Sequence, residues 1–301
     1  MKTRKSLSTK IFPITNGLIL SIIGFTMLYP FISCLALSFN DGVDAARGGI
    51  YFFPRVFTLE NYAKAFKYPT IFNAFKISII ITVLGTVISL ILNSLAAYAM
   101  TFKKMPGRSA IIMFMYFSTL FSGGTIPTYI LYKELHLLNS IWIYIIPAIY
   151  SFYNMVVLRT FFNGIPESLS EAARIDGCSE LRIFARIILP LSMPVLATIA
   201  LFEGVGLWND WYKGAFYVTN ADLKPAATVL QEILTESSAS AYSQAAEGVA
   251  GIEDMQKSAS NVTPQSLQYT FVIIITLPII MVYPFLQKYF VKGIMVGAVK
   301  D

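Results

Sequence analysis

Histidine, cysteine and charge are all scarce in this chain of 301 residues, and each scarcity removes a class of function. His136 is the single histidine, so no imidazole pair exists to hold a metal or relay a proton. Cys34 and Cys178 are the only cysteines, and they have neither metal-ligand spacing nor a disulfide pattern. No G-x-x-x-x-G-K-S/T run is present, so the chain has no phosphate loop of that kind. No Ser-His-Asp constellation is present either, and no catalytic residue is expected. Charged residues make up 13% of the chain, where soluble domains carry about 25%.

Apolar sequence takes up that space. Hydrophobic residues amount to 55% and the mean hydropathy is +0.62, which makes the chain a polytopic membrane protein. The reading is all-α, with six transmembrane helices at Pro13–Leu37, Ile71–Met100, Ala110–Leu131, Ile141–Phe161, Leu191–Trp211 and Tyr269–Gln287. The first is read as a retained helix rather than a cleaved signal. The net charge of +6 does not indicate nucleic acid, because the basic residues sit at span ends. Lys2, Arg4, Lys5 and Lys10, then Lys103, Lys104 and Arg108, then Lys288 and Lys292 mark the cytoplasmic side under the positive-inside rule. Both termini are therefore expected in the cytoplasm, with the chain in the plasma membrane.

Several polar features interrupt the apolar runs. Leu59–Phe66 is expected to be a short outer helix capped by Thr58. Asn93 and Ser94 are expected to face other helices. Ser122-Gly123-Gly124 and Pro127 break the third span, either as a pathway element or as a simple kink. Glu203 lies inside the fifth span. It is either a functional carboxylate or one hydrogen-bonded to a neighbouring helix for packing. Gly204 and Gly206 permit close helix approach. Trp208, Asn209 and Asp210 lie near the outer end of that span. Their aromatic face, amide and carboxylate suit a sugar, although aromatics there also form interfacial belts. Lys213–Gln268 is expected to be a long outer loop with helix at Ala227–Leu234.

The most informative stretch is Glu171–Pro194, EAARIDGCSELRIFARIILPLSMP, inside a cytoplasmic loop spanning Phe162–Pro190. Ser168 and Glu171 have capping-box spacing, predicting a helix over Leu169–Asp176. Gly177 occupies the position where a left-handed residue ends a helix. Ser179 is placed to cap a second helix with Glu180 in its first turn and Leu181, Phe184 and Ile188 on one face. Pro190 and Pro194 should break it. Ala172 and Ala173 are small enough to enter another protein's groove, with Glu171, Arg174 and Asp176 around the rim.

The run Glu171, Ala172, Ala173, Asp176, Gly177, Phe184, Ile187, Leu189, Pro190 and Pro194 resembles the EAA motif of ABC importer permeases. Ser122–Tyr129, Leu137-Leu138-Asn139 and Val291–Lys300 resemble the maltose-type carbohydrate branch, within it the permeases for oligosaccharides and complex glycans. The resemblance implies a MetI-like permease fold with Glu171, Ala172, Ala173, Asp176 and Gly177 as the ATPase-coupling residues. It also implies two partner ATPase subunits holding ATP and magnesium, a second related permease forming a heterodimer, and an extracellular solute-binding protein delivering a sugar. Glu203, Trp208, Asn209 and Asp210 are the candidate substrate-pathway residues. The chain itself is expected to bind no cofactor and no metal. Three alternatives are a permease for a non-sugar solute, an ion-coupled carrier centred on Glu203, and a membrane-embedded enzyme. The last two lack the intramembrane ionisable pairs or paired acids that they need.

Overall fold

The computed structural model describes residues 7–247 and 262–298. Among them the regular structure is helical, with one isolated antiparallel bridge, Asn40 to Phe57. In chain order the helices are α1 (Leu7–Ser38), α2 (Gly42–Ala46), α3 (Glu60–Phe66), α4 (Ile71–Ala99) and α5 (Arg108–Thr119). Then come α6 (Thr125–Glu134), α7 (Trp142–Ile145), α8 (Phe152–Asn163), α9 (Glu167–Ile175) and α10 (Glu180–Ile183). The last are α11 (Leu189–Leu191), α12 (Met193–Trp208), α13 (Tyr212–Tyr217), α14 (Ala226–Glu247) and α15 (Pro264–Ala298).

Among the described residues, three single helices are long and apolar enough to cross a bilayer: Phe12–Ser38, Ile71–Ala99 and Pro264–Val282. Two bent pairs also qualify, Trp142–Ala148 with Phe152–Asn163 at 46° and Glu180–Leu191 with Met193–Trp208 at 80°. The expected third span is two helices of 12 and 10 residues, α5 and α6, with the expected break at Ser122-Gly123-Gly124 between them. They are separated where Gly124 takes a φ of +81°, a conformation that side-chain-bearing residues avoid. The last helix begins at Pro264, before the expected Tyr269, and runs on through Pro278 and Pro284.

Two compact units divide the chain, one within Met1–Tyr68 and Ile233–Leu277, the other within Pro69–Glu232 and Pro278–Asp301. In the first, the polar loop after α1 is stitched by buried amides. Asn40 accepts hydrogen bonds from the backbone N–H of Arg55 (2.8 Å) and Val56 (2.9 Å) and donates to Asp44 (3.0 Å). Asn61 donates to the carbonyls of Ser38 and Asn40 and accepts from the Ser266 hydroxyl at 3.0 Å. A buried amide left unpaired would cost more than these bonds contribute, so the loop geometry is strongly specified. The Asn40 hydrogen bond, helped by Arg55, holds the Asp44 carboxyl below its ordinary range. Thr58 covers the Glu60 N–H at 3.1 Å, and α3 starts at Glu60, one residue after the expected Leu59.

In the second unit α4 is the central post, packed along α12 and α8. Gly85 lies where α4 meets α12: a Cβ there would meet Leu207 Cδ1 at 2.6 Å, so that side chain would have to shift. Nothing lies within 4 Å of a Cβ placed on Gly206, so that glycine is not the contact point. Asn93 is fully buried on α4 and serves the break between α7 and α8. Its amide donates to the Ile149 carbonyl at 3.2 Å and accepts from the Ser151 N–H at 3.0 Å. A broken span must have its freed backbone groups satisfied by protein, and Asn93 does this from the neighbouring helix. The helix expected at Ala227–Leu234 runs over Ala226–Glu247, and residues 248–261 of the long polar segment lie outside the described residues.

Candidate functional site

The polar loop after α8 forms a compact two-helix hairpin. Pro166 occupies the N-cap position of α9 with ψ of 124°, so α9 begins at Glu167, two residues before the expected start. Ser168 therefore lies within the first turn and does not cap, and the capping box with Glu171 does not form. A proline's fixed φ and missing N–H already suit it to a helix start. The far end behaves as expected. Gly177 has a φ of +76° and donates to the Arg174 carbonyl at 3.0 Å, while Cys178 donates to the Ala173 carbonyl at 2.9 Å. This paired closure is a Schellman motif, and Cys178 packs its thiol side against the core below.

Burial divides α9 into two faces. Ser170 and Ala173 are buried, Ala173 at 8% exposure. Ala173 thus packs inward rather than presenting at the tip. Glu171, Ala172, Asp176 and Gly177 are exposed. Ile175, an isoleucine with 86% exposure, stands among them, and Leu169 and Leu181 are exposed on the same hairpin. Leu181 was expected to share one face of the second helix with Phe184 and Ile188, but it is exposed while they are buried. Ile183 takes that place with Phe184 and Ile188, because α10 leads into a wider π-helical turn over Phe184–Ile188 that resets the angular register.

An ionic latch fastens the hairpin to α4. Arg174 donates from Nε to Glu180 Oε1 at 2.7 Å, and the Tyr98 hydroxyl donates to Glu180 Oε2 at 2.7 Å. The Arg174 hydrogen bond, with Tyr98 assisting, lowers the Glu180 pKa, and the same bond raises that of Arg174. Tyr98 also stacks in a tilted contact with Phe184, centroids 5.1 Å apart, and edge-on with Phe102 at the same spacing. Glu180 and Phe184 thus join the hairpin to α4 through a hydrogen bond and a ring contact. Ser179 stands at the N-cap of α10, but its hydroxyl makes no capping bond. The break from the fifth span falls at buried Ser192, between Pro190 and Pro194, where the chain turns by 80°.

The second candidate group lies along α12 and just beyond it. Glu203 accepts a hydrogen bond from the Asn154 amide of α8, so the carboxylate ties two helices together. Trp208 is buried at 7% exposure and its ring meets Phe75 of α4 at 6.2 Å. Asp210 is ion-paired with Lys213 and accepts the Lys213 backbone N–H at 3.2 Å. Asn209 alone of the four is exposed. The structure thus gathers Glu171, Ala172, Asp176 and Gly177 on one surface. It distributes Glu203, Trp208 and Asp210 among separate internal contacts.

Tyr98, Asn154 and Lys213 escaped the sequence reading. Asn154 carried a signal, being an amide within an apolar run. Tyr98 carried none, because an aromatic at a span end looks the same whether it faces lipid or a carboxylate.

The family model described as binding-protein-dependent transport system inner membrane component matches residues 96–296. The chain is 38% identical to protein LplC of Bacillus subtilis strain 168, covering 97% of this chain and 95% of that one. It is 36% identical to the polygalacturonan/rhamnogalacturonan transport system permease protein YtcP of the same organism, covering 93% and 96%. It is 28% identical to the arabinooligosaccharides transport system permease protein AraQ of Halalkalibacterium halodurans, covering 93% and 94%. Among solved structures, a chain of a bacterial ABC transporter involved in import of the acidic polysaccharide alginate superposes with a TM-score of 0.83. That chain shares 26% identity and is covered completely, against 96% of the present chain.

Proposed function

This chain belongs to the family of inner membrane components of binding-protein-dependent transport systems, and from that premise we propose that it imports an oligosaccharide or polysaccharide fragment. It is a permease subunit, a transport component and not an enzyme. Relatives along nearly its whole length carry names that specify polygalacturonan/rhamnogalacturonan and arabinooligosaccharides, and the structural neighbour is involved in alginate import. That shared saccharide character supports the sugar assignment.

On this reading the basic span ends face the cytoplasm, and so does the α9–α10 hairpin. Its exposed face, Glu171, Ala172, Ile175, Asp176 and Gly177, enters a groove on one of two ATPase subunits. The single observation that carries the coupling role is the latch: Glu180 is held at once by Arg174 of the hairpin and Tyr98 of α4. ATP-driven closure of the ATPases displaces α9. The latch passes the displacement to α4, and the turn at Ser192 passes it to α12, so access alternates between the two sides. ATP and magnesium reside in the ATPases. A second, related permease completes the pathway, and a solute-binding protein delivers the saccharide from outside.

Purification of the tagged chain in mild detergent tests the assembly. Recovery of a P-loop ATPase, a second permease and a solute-binding protein is the expected outcome. A stable chain recovered alone overturns it. Reconstitution of the recovered complex with its binding protein and labelled oligogalacturonides, arabinooligosaccharides or alginate fragments then tests the cargo. Uptake of none of them, with ATP hydrolysis intact, overturns the sugar assignment.

A further inference from the structure

An open cavity of about 840 Å³ lies beside the latch, and the coupling geometry does not account for its charge. Lys103, Lys104 and Arg108 of the α4–α5 turn line it over an apolar wall that includes Phe102 and Phe162. The acids at its edge are Glu167 and Glu180. Glu180 is already taken by Arg174 and Tyr98, and Arg174 also feels the charge of Glu167. Among the described residues, none of the ion pairs involves Lys103, Lys104 or Arg108.

The geometry calls for an acceptor there: the Nε of Arg108, which lines the cavity, is buried without a hydrogen-bond partner, as is the Nε of Arg159 on neighbouring α8. A buried polar group left unpaired is costly, and an anion in the cavity would satisfy it. Arg108 opens the 12-residue helix α5, whose N-terminal amides add partial positive charge. Farther along α5, Met113, Phe114 and Phe117 are exposed and apolar. A basic end continuing into an exposed apolar helix matches an amphiphile with an anionic head. Basic pockets between membrane helices on the cytoplasmic side hold such headgroups.

We propose that Lys103, Lys104 and Arg108 bind the phosphate headgroup of an anionic phospholipid of the cytoplasmic leaflet, seated in the cavity that Arg174 and Glu180 also border. The site rests on the membrane orientation given above. Headgroup occupancy then braces the α4–α5 turn against the latch, which makes coupled ATP hydrolysis responsive to anionic lipid.

The test uses the whole importer complex in nanodiscs of phosphatidylcholine with and without phosphatidylglycerol. Native mass spectrometry reads retained phosphatidylglycerol after detergent extraction. Lys103→Gln, Lys104→Gln and Arg108→Gln should each weaken retention roughly fivefold. Arg108→Lys should keep most of it, and an unchanged melting temperature separates lost binding from lost folding. Stimulation of ATP hydrolysis by phosphatidylglycerol should fall in parallel. Equal lipid retention by the neutralised variants overturns the site. Inorganic phosphate that displaces the lipid's effect in full shows a free-anion site and overturns the lipid assignment. Loss of the ATPase subunits from the variants in every lipid shows a protein contact and does the same. Charge-dependent lipid retention in a complex that takes up no saccharide leaves this site standing and overturns only the transport reading.

Discussion

The hairpin after α8 and the C-terminal end of α12 carry the two groups of candidate residues, and the structure treats them in opposite ways. The hairpin keeps its charges and several apolar side chains outside. Its one internal ionic contact, Glu180 with Arg174 and Tyr98, points toward the rest of the unit. Along α12 the polar groups turn inward on each other: Glu203 to Asn154, Asp210 to Lys213, and Trp208 onto Phe75. An exposed Ile175 beside Glu171 and Asp176 forms a surface without a cover, whereas a paired Asp210 and a packed Trp208 are already complete. Surface chemistry points to partner docking at the first site and to helix positioning at the second.

Substitutions sharpen this contrast. Trp208→Ala should have the largest effect, removing a buried aromatic at about 3–5 kcal/mol of stability. Uptake and melting temperature should fall together. Lost uptake at an unchanged melting temperature would return Trp208 to the pathway and erase the contrast. Gly177→Val comes next, because φ of +76° strains a β-branched residue by about 1–3 kcal/mol. The hairpin should distort while the spans remain inserted, so that ATP hydrolysis continues and uptake drops. Normal uptake would remove Gly177 from the coupling machinery.

Tyr98→Phe and Glu180→Gln should each loosen the latch by about 1 kcal/mol, and the double variant should cost less than the sum. Additive effects on uptake per ATP would mean that the hairpin and α4 move independently. The latch also sets a pH expectation. Glu180 has a lowered pKa, so its contribution is fully present above the ordinary glutamate value of 4.5 and is lost as pH falls through the lower folded value. Hydrogen-exchange protection of the hairpin, corrected for the intrinsic pH dependence of amide exchange, should be flat across neutral pH and fall only in acid. A loss of protection near pH 7 would require another group. Asn209→Ala should be the mildest for stability, within about 0.5 kcal/mol, since Asn209 is exposed. A change in saccharide affinity without any shift in melting temperature would make Asn209 the one member of its group that touches cargo.

The sequence by itself determined the class of molecule. Apolar runs with charge at their ends dictate membrane helices, and a glycine after a short helical run dictates where a helix must stop, which Gly177 does. Those are local properties, written in periods of a few residues and in backbone sterics that no partner can override. Pro166 shows the margin of that reading: it started α9 earlier than the Ser168 spacing implied, because two local signals competed. The tertiary structure alone decided which polar groups are satisfied internally and which are left for others. Asn93 serves the break at Ile149, Asn154 occupies Glu203, and Tyr98 reaches Glu180 across 82 positions of chain. Such pairings depend on which helix faces come together. Two side chains far apart in sequence record nothing of that meeting until packing brings them within hydrogen-bond distance.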